Sequence, residues 1–358
     1  MTNARTIQRH VMIMAAGTGG HIFPGLAVAR ALIEEGLRVS WLGTPQGLEN
    51  RIVPEAGIEL NRIEISGLRG RGLLGWLAAP LRVLRAMIQA RSILKRLQPD
   101  CVLSMGGYVA GPGGLMARWL RIPLVLHEQN AVAGLTNRWL RPFAQRTLSG
   151  FPGVLKAAEH CGNPVRSDIA ALAHPRERYL ERQGPLKLLV VGGSQGALAF
   201  AGAIPQALAL LPSSKRPRVI HQAGRQLEAT RQAYKAAGVE GEVVEFIDDM
   251  AQAWAEADLA ICRAGALTVA ELAAAGVASL LVPFPAAVDD HQTANARYLS
   301  EASAAWLVGQ NTLTPETLAE RLSGLNRLTL AEMAERARGL ARPDATAAVA
   351  QACREVAA

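Results

Sequence analysis

Twice in this chain a short apolar run leads into a glycine-rich loop that opens a helical stretch, and no other feature restricts the fold as much. Residues 10–16 are apolar, the loop Gly17-Thr18-Gly19-Gly20-His21 follows, and residues 23–35 read as a helix. Pro24 sits near the first turn of that helix, where a missing N–H costs nothing. The order repeats in residues 186–191, the loop Gly192-Gly193-Ser194-Gln195-Gly196, and residues 197–210. Further continuous apolar runs at 101–105, 124–127, 259–262 and 279–282 alternate with helical stretches, as strands covered on both faces do. The expected fold class is α/β, with two parallel-sheet domains, each opened by one glycine loop.

At 358 residues the chain exceeds one compact domain. The turn-forming sequence Gly162-Asn163-Pro164-Val165-Arg166, after a strand at 146–150 read as the last of its domain, marks the boundary. The expected division is 1–164, 165–342 and a C-terminal helix in 343–358 that could pack back on the first domain, with a cleft at the boundary. Ligand groups in open α/β sheets gather at the carboxyl ends of strands, where every motif below falls.

Half of the residues are hydrophobic and 19% are charged, which excludes a disordered chain. Cys101, Cys161, Cys262 and Cys353 are far apart and form no CxxC pair, so neither zinc nor a disulfide framework is indicated, and a reducing compartment is expected. The N-terminal apolar run is too short for a signal sequence, and Glu271, Gly276, Pro283 and Pro285 interrupt the alanine-rich residues 266–288, so no segment is expected to cross a bilayer.

The net charge of +8 is unevenly spread: residues 1–164 hold 19 Lys and Arg against 9 Asp and Glu, and residues 165–358 hold 19 against 21. Within residues 65–99, Arg69, Arg71, Arg82, Arg85, Arg91, Lys95 and Arg96 occur with no acid, beside Leu73, Leu74, Trp76, Leu77 and Leu81. Cations mixed with apolar side chains suit a membrane interface; a core helix with a solvated basic face has the same composition. A nucleic-acid surface ranks below both, because aromatic residues are 4% of the chain and no nucleic-acid motif accompanies the charge.

The first glycine loop leads into a helix, whose free N–H groups and positive end can meet an anion. A dinucleotide fingerprint fails there: Ile22 stands where the third glycine is needed, and the second strand ends in Gly43 and Thr44 with no acid for a ribose. His21 at the loop's end can act as a base near neutral pH, or can merely hydrogen-bond the loop. The second loop repeats the design, with Ser194 able to donate to a phosphate. In Arg263-Ala264-Gly265-Ala266-Leu267-Thr268-Val269-Ala270-Glu271 a strand again hands over to a helix, and Glu271 lies one turn inside, among apolar neighbours. A carboxylate so placed suits the hydroxyls of a ribose; the plainer reading is a solvated surface glutamate.

Taken with Gly106-Gly107-Tyr108, His127-Glu128-Gln129-Asn130 and Gly162-Asn163-Pro164-Val165-Arg166, these motifs occur in the order found in the MurG family. The chain resembles these peptidoglycan N-acetylglucosaminyltransferases from about His10 to its end. The resemblance implies the two-domain GT-B fold of paired Rossmann-like sheets and inverting transfer of GlcNAc from UDP-GlcNAc to lipid I, the undecaprenyl-diphosphate-linked MurNAc-pentapeptide. It implies no cofactor and no metal site, attachment to the cytoplasmic face of the inner membrane, and no nucleic-acid partner. A glycolipid synthase with another lipid acceptor is the alternative.

Carried over by position, Arg166 and the backbone at Ile247 hold uracil, Glu271 the ribose, and Ser194 with Ala266, Leu267 and Thr268 the diphosphate. Val269 and Ala270 border this site, Gln292 meets the sugar, and Thr18, Gly19, Gly20 and Asn130 complete the donor pocket. Tyr108, His127 and Asn137 face the acceptor, and His21 is the candidate base with Glu128 in reserve. Ala201 stands where the family usually has asparagine, so any contact from that side chain is lost.

Overall fold

The computed structural model describes residues 8–17, 19–65 and 79–357, and the chain divides into two compact units, Met1–Pro164 with Pro343–Ala358, and Val165–Arg342.

In the first unit seven strands, β1 (His10–Met14), β2 (Arg38–Gly43), β3 (Glu59–Arg62), β4 (Cys101–Ser104), β5 (Leu124–Glu128), β6 (Arg146–Ser149) and β7 (Glu159–His160), form one sheet. Its order is β3-β2-β1-β4-β5-β6-β7 and each pairing is parallel; Val11, for example, stands opposite both Val39 and Cys101. Alternation along β1 divides the core: Val11, Ile13 and Ala15 pack under the helices Gly19–Glu34 and Ala345–Val356, while Met12, Met14 and Ala16 pack under Ala79–Leu97 and Ala110–Trp119. The strand β7 follows the one expected to be last. The first helix begins at Gly19 rather than 23, so Gly19, Gly20 and His21 form its first turn and Pro24 lies inside it. A proline there removes the N–H that the Gly20 carbonyl would otherwise accept.

In the second unit β8 (Lys187–Val191), β9 (Arg218–Gln222), β10 (Glu242–Val244), β11 (Leu259–Cys262), β12 (Ser279–Leu281) and β13 (Ala305–Leu307) form a parallel sheet in the order β10-β9-β8-β11-β12-β13. Its core joins Leu188, Val190, Ile261 and Leu280 to Phe200, Ile204 and Leu330. The amino ends of β8 and β11 are tied by the buried Asp258, which accepts from the Lys187 N–H at 2.8 Å and pairs with Arg182 at 2.6 Å and Arg327 at 3.2 Å. With one end of the sheet closed by this network, the loops at the other end are the ones free to bind.

In each sheet the chain reverses its direction of winding at one place, between β1 and β4 and between β8 and β11. The loops leaving these strands diverge there and open a crevice at their carboxyl ends.

Candidate functional site

In the first unit this crevice holds His21. Gly106, just beyond β4, has φ of +92°, and a Cβ on it would lie 3.1 Å from His21 Cε1 and 3.2 Å from Nδ1. Only glycine gives both the left-handed backbone and the room for the imidazole. His21 Nδ1 is 3.0 Å from Oε1 of Gln129, the residue after β5 and its Glu128. Gln129 Nε2 in turn lies 3.1 Å from His127 Nδ1, and His127 Nε2 is 2.9 Å from the Gly162 carbonyl.

Three expectations change here. His127 is fully buried with both ring nitrogens engaged, on the Gly162 carbonyl and on Gln129, through which it reaches His21, and burial pushes its pKa down to about 4. Glu128 is buried and its oxygens are occupied: Oε1 accepts from the Asn130 N–H at 3.0 Å and from its Nδ2 at 3.4 Å, and Oε2 from the Gly134 N–H at 3.0 Å and Asn137 Nδ2 at 2.8 Å. Such a carboxylate folds the loop 130–137, to which both of its oxygens are committed. Asn137 is buried on Glu128, so its amide supports this loop rather than lying open to an acceptor, although its Oδ1 has no partner among the described residues. Tyr108 is exposed, Asn130 half-buried, and Thr18 lies outside the described residues.

The glycine loop also differs from a bare anion cradle. Buried Glu49, at the start of the helix Glu49–Glu55, accepts from the Gly17 N–H at 3.2 Å, the Thr44 N–H at 2.9 Å and the Thr44 hydroxyl at 2.7 Å. A carboxylate already holds Gly17, which leaves the amides of Gly19, Gly20 and His21 for a ligand. Glu49 was not singled out in the sequence, because an acid at a helix start reads as an ordinary dipole partner.

In the second unit, the helix Ala266–Ala275 starts at Gly265 without a side-chain cap, and Val269 is the first residue whose N–H bonds back, to the Gly265 carbonyl at 3.0 Å. The amides of Ala266, Leu267 and Thr268 are therefore open at the positive helix end. Val269 itself is buried in the core with its N–H used, and Ala270 is half-buried. Ser194 is exposed on the other loop, where its carbonyl accepts from the Arg225 N–H at 3.3 Å. Gly224 backs this loop so closely that a Cβ on it would lie 2.4 Å from the Gly193 carbonyl oxygen.

Glu271 accepts from Trp254 Nε1 at 3.2 Å; burial raises its pKa to about 7 against the opposing pull of that bond and of the Arg166 charge. The Nε of Arg166 is paired with Asp168 Oδ1 at 3.4 Å, outside hydrogen-bond geometry, and its buried Nη2 has no hydrogen-bond partner among the described residues. An ionised group with buried unmatched donors is costly unless a ligand completes it. Trp254 gave no signal in the sequence, where it reads as a core aromatic.

Ile247 is half-buried in the loop after β10. Gln292 accepts from the Phe284 N–H through Oε1 at 2.9 Å, which presents its amide nitrogen as a donor. Ala201 is buried, and Arg263 is absorbed in structure: it bonds the carbonyls of Val282 and Pro283 at 3.1 and 3.2 Å and lies over the rings of Phe200 and Phe284. Among the described residues no three His, Cys, Asp or Glu side chains are grouped as a metal site would need.

Residues 11–149 match the glycosyltransferase family 28 N-terminal domain and residues 187–349 the glycosyltransferase family 28 C-terminal domain. The chain is 58% identical over 348 residues, 97% of its length and 98% of the relative's, to the UDP-N-acetylglucosamine–N-acetylmuramyl-(pentapeptide) pyrophosphoryl-undecaprenol N-acetylglucosamine transferase of Bordetella parapertussis. It is 56% identical to the protein of the same name from Cupriavidus metallidurans, with 98% of each chain covered. The crystal structure of Acinetobacter baumannii MurG superposes with a TM-score of 0.85 at 47% identity, covering 97% of this chain and 99% of that one.

Proposed function

The chain belongs to glycosyltransferase family 28, and from that premise we propose which of its residues carry the reaction. It is a UDP-N-acetylglucosamine-dependent N-acetylglucosaminyltransferase of peptidoglycan synthesis that converts lipid I to lipid II.

The observation that carries the donor assignment is the grouping of Arg166, Glu271 and three open amides on connected elements of the second unit. Arg166 supplies donors to the uracil carbonyls, with the backbone at Ile247, and Glu271 accepts from the ribose hydroxyls. The amides of Ala266, Leu267 and Thr268, with Ser194, face the diphosphate, and the Gln292 amide nitrogen donates to the sugar. As the anomeric bond breaks, charge grows on the leaving diphosphate, where amides fixed at a helix end stabilise it without reorganising.

For the first unit, His21 is the base that takes the proton from the 4-hydroxyl of the acceptor MurNAc as it attacks the anomeric carbon with inversion. Glu128 is set aside from this role by its four N–H donors. Binding of UDP by the intact chain and by Glu271→Ala, together with transfer of labelled GlcNAc by His21→Ala, tests the two halves.

The enzyme sits peripherally on the cytoplasmic face of the inner membrane, through the helices Ala79–Leu97 and Ala110–Trp119. Leu81, Leu84 and Ile88 project from one face of the first helix and Trp119 from the second, with Leu81 72% and Trp119 64% exposed, while Ala86, Ala90 and Leu94 fill the core. Arg91 lies over the Trp119 ring at 4.9 Å, and Arg82 and Lys95 are exposed nearby on the same helix. A helix apolar on two faces, one of them ringed by cations, supports both a core role and an interfacial one. The expected contribution of residues 66–78 lies outside the described residues. Among the described residues no helix is long and apolar enough to cross a membrane.

A further inference from the structure

The hydrogen bonds behind His21 form a chain whose donors and acceptors can be assigned atom by atom. At its far end the Gly162 carbonyl can only accept, so His127 Nε2, 2.9 Å away, carries a proton. Burial keeps His127 neutral, which leaves a lone pair on its Nδ1. The Gln129 side-chain atom 3.1 Å from that lone pair also lies 3.2 Å from the backbone carbonyl of His127, and two acceptors require the amide nitrogen there. The atom facing His21 is therefore the amide oxygen, 3.0 Å from Nδ1, and it too can only accept. Asn163, buried, donates from Nδ2 to the Gln129 carbonyl at 3.0 Å and pins the same residue from behind.

We propose that Gln129 and His127 are positioning residues that hold His21 as its Nδ1–H tautomer, so that the lone pair for catalysis is on Nε2. The inference rests on the reading of His21 as the base. A free neutral histidine prefers the opposite tautomer, with the proton on Nε2, where it would block proton abstraction. In the step itself the acceptor O–H bond breaks and its proton goes to His21 Nε2. The oxygen's electron pair forms the bond to the anomeric carbon, and UDP leaves with the pair of the broken glycosyl bond. The resulting imidazolium still donates from Nδ1 to Gln129, so the chain needs no rearrangement during turnover. A role of this kind is distinct from contact with substrate: neither Gln129 nor His127 touches a reacting atom.

Side-chain ¹⁵N–¹H correlation spectra of the full-length wild-type enzyme read the tautomers directly. The expected result is protonation of His21 on Nδ1 and of His127 on Nε2; a His21 protonated on Nε2 overturns the proposal. Gln129→Leu should move His21 toward the Nε2–H form and lower kcat about tenfold or more, with KM for UDP-GlcNAc within about twofold. Gln129→Glu keeps an acceptor oxygen for Nδ1–H and should restore the His21 tautomer, at a cost in stability because its second oxygen meets the His127 Nδ1 lone pair and carbonyl. A Gln129→Leu enzyme with wild-type kcat and tautomer also overturns the proposal, and should that variant not fold, the wild-type spectrum decides. His21→Ala separates the underlying reading: a loss of less than about tenfold removes His21 as base, whatever tautomer the spectrum shows.

Discussion

The carboxylate of Glu271 accepts a hydrogen bond from the indole of Trp254 at 3.2 Å, yet burial still raises its pKa to about 7. At neutral pH the group is thus divided between acid and carboxylate in the free enzyme. Ribose hydroxyls donate better to the ionised form, so donor binding should tighten between pH 6 and 8 and release protons. The diphosphate of UDP-GlcNAc is a diester and does not titrate in this range. Calorimetry in buffers of different ionisation enthalpy should show the release in the wild type and not in Glu271→Gln; equal proton release by both would place the titration elsewhere.

The same shift has a consequence for stability. A carboxyl whose folded pKa lies above its unfolded value contributes stability that is full below about 4.5 and is lost as pH rises through about 7. Glu271→Gln cannot ionise and escapes that loss, so its melting temperature relative to the wild type should be higher at pH 8 than at pH 4. Glu271→Ala should weaken UDP binding by about 1.5–3 kcal/mol through lost charge-assisted bonds. Unchanged affinity in the folded variant would remove Glu271 from the donor site.

Glu128 is expected to behave as a structural acid. Glu128→Gln turns one acceptor oxygen into a donor that meets N–H groups, at a cost of about 1–3 kcal/mol in stability. Its KM for the acceptor should rise while the shape of the pH profile for kcat is kept. Abolished turnover with unchanged stability, together with a His21→Ala loss below about tenfold, would exchange the two roles.

The proposed docking on the membrane rests on exposed apolar side chains within a basic unit. Leu84→Ser, Ile88→Ser and Trp119→Ser combined should weaken binding to anionic liposomes about tenfold or more, as the loss of several partly inserted side chains implies. Affinity for soluble UDP should be unchanged. High salt should weaken wild-type binding only in part, since the apolar contribution is not screened. A folded triple variant that binds liposomes normally would place the docking face elsewhere.

The sheets were legible because continuous apolar strands and glycine loops are local signals, and His21 and Glu271 stood out as polar residues near the starts of helices that follow strands, while Arg166 came from the family resemblance. What escaped was set by contacts distant in sequence. The helix start at Gly19 could not be read because glycine and proline both argue against helix, and packing around the crevice overrides them. His127 and Glu128 looked like substrate ligands because a strand's carboxyl end is a place for ligands; their partners, Gly162 and the loop 130–137, become visible only in the folded chain. Val269 belongs to a helix whose first turn carries open amides and whose next residue is already core.

Transfer of labelled GlcNAc from UDP-GlcNAc to a short-chain lipid I analogue tests the central claim most directly. The purified wild-type enzyme should form the disaccharide product and UDP in equal amounts. His21→Ala should lower that rate by about 10²–10⁴ while still binding UDP, the range expected for loss of a general base. Donor hydrolysis with no labelled lipid product, or transfer only to an acceptor lacking the MurNAc-pentapeptide, would contradict the assignment.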